Sequence, residues 1–350
     1  MKDGQKRTNH RGVAILNHRV VVILTIFYLL AGRQLYAQLT IDTSTYLKQN
    51  AGIYSIIIAK NDQVLYRRYY NLYDENSLFN DQSLTKSIGS ILIGIAIDKG
   101  YIRSVDEKLA DFFPELRKDK DTRKGDITLR QLMCQASGLY HEDLNRLSEY
   151  LALPDPSGFV LSQPLATEPG KVFHYNNAAT HLLSLILTKR SGMDTRSFAK
   201  KFLFDPLGIS KFEWAKMRDG YYDGCGLLSI RMRSEDMTRI GLLLLNNGVY
   251  NGQQIVSSQW VTLLLHPDSS YNTEWGFDKS TYALCYYHTE YKGVAITYGM
   301  GWGGQFLILI PSLHAVVVAN ESIEDSHAIQ QSNTFIHRIF PLIYDQLHSL

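Results

Sequence analysis

Apolar and polar positions fall into blocks whose period changes along the chain. Ile53-Tyr54-Ser55-Ile56-Ile57-Ile58-Ala59 and Val64-Leu65-Tyr66-Arg67-Arg68-Tyr69-Tyr70 are β-branched and aromatic runs on either side of Lys60-Asn61-Asp62-Gln63. Such runs joined by a polar turn predict a β-hairpin. In the next block Ile88, Ile91, Leu92 and Ile95 recur at helical spacing and Gly100 closes the segment, which predicts a helix with a buried face.

A helical region follows. Ser104 to Glu107 opens a segment ending near Pro114, and Thr128 to Met133 starts another that stops at Ser137-Gly138. Further helices are expected over His181 to Arg190, Ser197 to Phe204, Asp236 to Asn246 and Ser257 to Leu265, with stops at Pro206-Leu207-Gly208 and Asn247-Gly248. Four strands then read as Tyr282 to Tyr287, Val294 to Tyr298, Gln305 to Ile310 and Ala315 to Ala319, before an amphipathic helix from Phe335 to Leu347. Strands at both ends with helices between them predict an α/β (α+β) fold. Residues 38–105 and 270–350 form the sheet domain in this reading, and 106–269 a mostly helical domain.

The N-terminus departs from this pattern. Lys2, Lys6, Arg7, Arg11 and Arg19 precede the apolar run Val20 to Leu30, and Leu35-Tyr36-Ala37 offers a small-residue cleavage site. Residues 1–37 therefore read as a signal peptide, which implies a periplasmic or secreted protein, with an uncleaved membrane anchor as the alternative. Removing this segment takes away six basic residues and one acidic one, turning a formal charge of +2 into −3. No nucleic-acid partner is expected from that balance. A composition that is 45% hydrophobic and 20% charged excludes disorder. Cys134, Cys225 and Cys285 fit either one disulfide with a free thiol or three buried thiols, and show no metal-ligand spacing.

The candidate chemistry begins at Ser83-Leu84-Thr85-Lys86. On the predicted helix a serine and a lysine three residues apart share one side, so the amine reaches the hydroxyl, and the helix start supplies free N–H groups for developing negative charge. The spacing recurs at Ser197-Phe198-Ala199-Lys200. Only the first copy opens an apolar helix after a hairpin, with Tyr175-Asn176-Asn177 and Gly301-Trp302-Gly303-Gly304-Gln305 following in order.

Together with Ile127 to Met133 closing on Ser137-Gly138-Leu139, Glu168-Pro169-Gly170 and Phe204-Asp205-Pro206-Leu207-Gly208, these motifs resemble the serine β-lactamase and penicillin-binding protein superfamily, in its β-lactamase-related, class C-like branch. The resemblance implies a β-lactamase/transpeptidase-like fold, an antiparallel sheet flanked by helices with the mostly helical domain inserted. It implies Ser83 as nucleophile, Lys86 as its base if the ammonium is neutralised, Tyr175 sharing the base role, and Asn177 orienting Lys86 or the substrate. It further implies Ser83 and Gln305 N–H groups as oxyanion donors, and Gly303 and Gly304 allowing close approach of substrate. Trp302 stands where β-lactamases proper carry a lysine or histidine, which favours a neutral ester or amide over an anionic substrate.

Other chemistries lack their signatures: there is no Gly-x-Ser-x-Gly elbow, and His141-Glu142 has no second histidine at metalloprotease spacing. The expectation is a serine hydrolase without metal or cofactor, acting on a small-molecule ester, amide or peptide. A non-catalytic relative binding peptidoglycan fragments or peptides is the alternative.

Overall fold

The computed structural model describes residues 52–324 and 326–350, with Met1 and Leu39 besides. The predicted signal peptide lies outside the described residues, apart from Met1, and among the described residues no helix is long and apolar enough to cross a membrane.

The expected hairpin is strands β1 (Ile53–Lys60) and β2 (Gln63–Tyr69). Six C-terminal strands complete an eight-stranded sheet: β3 (Tyr271–Asn272), β4 (Thr281–Ala283), β5 (Tyr286–Tyr291), β6 (Val294–Gly301), β7 (Gln305–Ile310) and β8 (Ala315–Glu321). Their order is β2-β1-β8-β7-β6-β5-β4-β3, antiparallel throughout. The two ends of the chain meet where β1 pairs with β8, from Ile53 opposite Glu321 to Lys60 opposite Ala315.

Both faces of the sheet are covered, which is why its strands read as continuous apolar runs and not as alternations. Phe306, Ile308 and Ile310 face the C-terminal helical segments through Phe335, Ile339, Phe340 and Ile343. Leu307, Leu309, Val316 and Val318 face the core shared by helices α1 (Leu84–Asp98), α2 (Asn177–Ser191), α3 (Ser234–Leu245) and α4 (Ser258–Leu265). Helix α1 is nearly all buried. At Gly94 a Cβ would lie 2.3 Å from the Trp260 ring, so glycine there lets α4 press against α1.

Three differences from expectation have local causes. The run Tyr282 to Tyr287 is two strands, because Leu284 and Cys285 both turn to positive φ, +48° and +66°. The helix expected before Pro114 is only Leu109–Phe112. The C-terminal helical region starts earlier than expected, with Ala328–Thr334 leading into Phe335–Ile339 and Phe340–Ser349. All three cysteines are buried and free.

Candidate active site

Ser83 stands at the N-terminus of α1 with φ −66° and ψ −7°, and its side chain makes no capping hydrogen bond. The hydroxyl is thus not spent on the helix. Gln82 before it is left-handed, φ +49°, a conformation few non-glycine residues adopt, and Asn80 Oδ1 holds it by accepting from the Gln82 N–H at 3.1 Å and Nε2 at 3.0 Å.

Lys86, one turn on, is buried at 1% exposure. Its Nζ lies 3.0 Å from Ser83 Oγ and 2.6 Å from Asn177 Oδ1, and it also donates to the Cys225 carbonyl. Tyr175 flanks this group, its ring centroid 4.8 Å from Nζ. Burial pushes the Lys86 ammonium down, but Tyr175 and Cys225, the hydrogen bond with Tyr175 and the Asp223 charge outweigh it and hold the group above the usual lysine range. Burial alone therefore does not meet the condition that the Lys86 ammonium be neutralised for it to act as base.

Two buried carboxylates organise the acceptors around Lys86. Asp223 gathers the N–H groups of Cys225 (2.7 Å), Gly226 (3.1 Å), Leu228 (2.7 Å) and Ser229 (2.7 Å), together with the Cys225 thiol, and so shapes the loop that presents the Cys225 carbonyl. Burial pushes Asp223 up, yet His181 and these donors keep it below the usual carboxylate range. Burial pushes the Cys225 thiol well up. Glu142 accepts from both the N–H and the Nδ2 of Asn177 and from the N–H of Ala178, capping α2. Asn176 completes that cap, its Oδ1 accepting from the Ala179 N–H at 2.7 Å.

The glycine-rich motif forms the tip of the β6–β7 hairpin. A Cβ on Gly301 would meet the Asp81 carbonyl at 2.5 Å and Gln82 Cβ at 2.9 Å, so this end of β6 lies against the turn that carries Ser83. Trp302 follows, half exposed. A Cβ on Gly303 or Gly304 would instead strike Ser322 O or Glu321 Cδ, at 2.4 Å and 2.7 Å; these glycines serve packing against the end of β8 and the residue after it, a need separate from the close substrate approach expected of them. Gln305 is fully buried and pairs with Gly301 across the hairpin. Its Nε2 donates to the Trp302 and Glu321 carbonyls and its Oε1 accepts from Asn320 Nδ2 and the Glu321 N–H.

The structure thus brings Ser83, Lys86, Tyr175 and Asn177 together, with Gly301 beside the Ser83 turn, while the Trp302 side chain lines a cavity with His327, Asn333 and Arg338. The competing pair separates: Ser197 Oγ donates to Asp194 and Lys200 binds Asp205, both on the surface. His181 is buried between Asp219 and the Gly224 N–H, and the His174 ring packs at a tilt against His141. Glu142, Asp223 and Gly301 escaped the sequence reading. The first two act on backbone N–H groups that no motif marks, while Gly301 sat inside a motif whose later glycines drew the attention. Among the described residues no group of three metal-ligating side chains converges.

The family model described as Beta-lactamase matches residues 45–331. Beta-lactamase-like protein 2 of Dictyostelium discoideum is 27% identical over 237 residues, 61% of this chain and 39% of that protein. The chain thus spans about two-fifths of the length of that curated relative. A Bacillus anthracis structure provisionally named a 6-aminohexanoate-dimer hydrolase matches with a TM-score of 0.70 at 21% identity, over 87% of this chain and 81% of its own. The class C beta lactamase of Rhodobacter sphaeroides matches with a TM-score of 0.63 at 15% identity, over 87% of this chain and 98% of its own. At these identities the two structures share their fold with this chain.

Proposed function

The chain belongs to the Beta-lactamase family, and we propose that within it this protein is a serine hydrolase that cleaves a neutral ester or amide through an acyl-enzyme on Ser83. The observation that carries this reading is the set of neighbours around Lys86 Nζ. Two of them, Asn177 Oδ1 and the Cys225 carbonyl, only accept hydrogen bonds; the third, Ser83 Oγ at 3.0 Å, both donates and accepts. A neutral amine has two N–H groups and one lone pair. With both N–H groups committed to the obligate acceptors, the lone pair is left to the hydroxyl side of the group, where Ser83 Oγ stands with the Tyr175 phenol that also hydrogen-bonds the amine, and it takes the Ser83 proton as the oxygen attacks the carbonyl carbon.

The reaction balances in two stages. Ser83 Oγ bonds to the acyl carbon while its proton passes to Lys86, and the leaving group departs with a proton returned through Lys86 or the Tyr175 phenol beside it. Water then attacks the ester and releases the acid. The developing oxyanion takes the Ser83 N–H and, in this reading, the Trp302 N–H; among the described residues neither donates to a protein acceptor. Trp302 is preferred to Gln305 as donor because the Gln305 backbone pairs back onto Gly301. A half-exposed indole stands where β-lactamases proper carry a cation, which supports a neutral substrate.

The test is a fluorophosphonate probe with peptide mapping. One covalent mass on the peptide carrying Ser83, absent from Ser83→Ala, is the expected result; label that survives in Ser83→Ala removes the assignment. Short acyl esters, D-amino-acid peptides and a chromogenic β-lactam then separate esterase, peptidase and β-lactamase, and silence across the panel with no label would favour a binding role.

A further inference from the structure

The direction of the Lys86 lone pair depends on which end of Asn177 faces the amine. A carboxamide carries an acceptor at one end and two donors at the other, in nearly the same shape. With Oδ1 toward Lys86, Asn177 draws one N–H of the amine. Flipped, Nδ2 would offer donors to the amine, and the lone pair would turn toward Asn177 and away from Ser83. Lys86 alone does not fix the choice once it is neutral, because an amine both donates and accepts.

Glu142 fixes it. It is buried at 3% exposure, in the loop between Met133 and Leu144, downstream of Ser137-Gly138-Leu139. One of its oxygens, Oε1, accepts from the Asn177 N–H at 3.1 Å and from Asn177 Nδ2 at 2.6 Å, and Oε2 accepts from the Ala178 N–H at 2.9 Å. A carboxylate has no donor, so Nδ2 must face it and Oδ1 must face Lys86, where it lies 2.6 Å from Nζ. We propose that Glu142 is a positioning residue for the reaction proposed above: by holding the Asn177 carboxamide in one orientation it makes Oδ1 an obligate acceptor for Lys86 and leaves the amine lone pair to Ser83. This rests on the serine-hydrolase reading for its consequence, and on hydrogen-bond geometry alone for its cause.

The same three hydrogen bonds also cap α2, so a loss of stability by itself would not separate positioning from capping. Glu142→Gln does: its carboxamide still accepts at one oxygen, but its new N–H donors oppose either the Ala178 N–H or the Asn177 donors, and the second arrangement is relieved by flipping Asn177. The experiment is a double-mutant cycle on the rate of Ser83 labelling by a fluorophosphonate, with Asn177→Ala as the second change. Labelling by Glu142→Gln should fall on the order of 100-fold, the scale of a misplaced reacting group, while Glu142→Gln made on top of Asn177→Ala should label as Asn177→Ala does. An equal fall in both backgrounds, or no fall in the first, overturns the proposal. Glu142→Asp, which keeps a pure acceptor, should retain more activity than Glu142→Gln and serves if the glutamine variant does not fold. Hydrogen exchange of the Asn177 side-chain amide, its signal assigned by its loss in Asn177→Ala, is read in parallel and needs no turnover: protected in the parent, exposed in Glu142→Gln. If the parent protein takes no label the functional reading falls, while the exchange result still decides whether Glu142 holds Asn177; unchanged protection overturns that hold.

Discussion

Lys86 is pulled two ways. Burial in the heart of the fold lowers its pKa, and the Tyr175, Cys225 and Asp223 groups around it raise it further than burial lowers it. Bringing an ordinary lysine to its neutral form at pH 7 already costs roughly 5 kcal/mol, and here the cost is larger. Acylation that uses the Lys86 lone pair should therefore accelerate about tenfold per pH unit between roughly pH 7 and 9, with no plateau in that window; a plateau near neutrality would assign the titration to another group. The stability effect has a fixed sign. A folded-state pKa above the unfolded one means that the ammonium stabilises the fold below about pH 10.4 and that this contribution is lost as the pH rises through the higher folded value. Lys86→Met should lack that alkaline loss in thermal melts taken across the range. At this scale the legible residues are those carried by local spacing. Ser83 and Lys86 are one turn apart, and Tyr175 and Asn177 flank a cap. Glu142 and Asp223 were not legible, because each earns its place through backbone N–H groups that only the folded chain assembles.

Elements were legible where burial imposes a long period and illegible where a turn carries no turn residue. Strands β7 and β8 and helices α1, α3 and α4 lie within a few residues of their expected bounds. The β4–β5 turn escaped because Leu284 and Cys285 take left-handed angles without glycine or asparagine. Tertiary contacts hold it instead, with the Cys285 N–H donating to Met133 O and Cys285 O accepting from Ser87 Oγ. The small sheet joining Phe79–Asn80, Phe212–Trp214 and Ile230–Met232 escaped because strands of two or three residues show no period. The loop between Asp223 and Ser229 is the element on which the site leans most. Gly226 has φ +86°, and a Cβ there would lie 2.3 Å from the Gln82 carbonyl and 2.8 Å from Ser83 Cα. Those are backbone atoms and cannot swing aside. Gly226→Ala should destabilise the protein by roughly 1–3 kcal/mol and slow Ser83 labelling further than that, because the loop that carries the Cys225 carbonyl must lift from the Ser83 turn. Parental melting temperature and labelling rate in this variant would mean that the loop does not pack there.

At the scale of the whole molecule, the sheet and the site are each assembled from both ends of the chain. β1 and β2 come from the first end and β3 to β8 from the last, and they join at a single seam, β1 against β8. The site divides the same way, with Ser83, Lys86, Tyr175 and Asn177 before the exposed Asp268-Ser269-Ser270 stretch and Gly301 and Trp302 after it. A cut in that stretch breaks one peptide bond and no strand pairing. Separation of the two pieces would uncover Ile53, Ile56 and Ile58, all 0% exposed and packed against the C-terminal strands and helices, at about 1.5–3 kcal/mol each, a sum comparable to the entire ~5–15 kcal/mol margin of a folded domain. A protein cleaved after Ser269 should therefore migrate as one species in native gel filtration, retain Ser83 labelling, and melt in a single transition below that of the intact chain. The piece ending at Ser269, expressed without the other, should be insoluble or unlabelled, and co-expression with residues 270–350 should restore both solubility and label. A soluble, labelled N-terminal piece would show that the last six strands are dispensable, contrary to a seam on which both the core and the Ser83 turn depend.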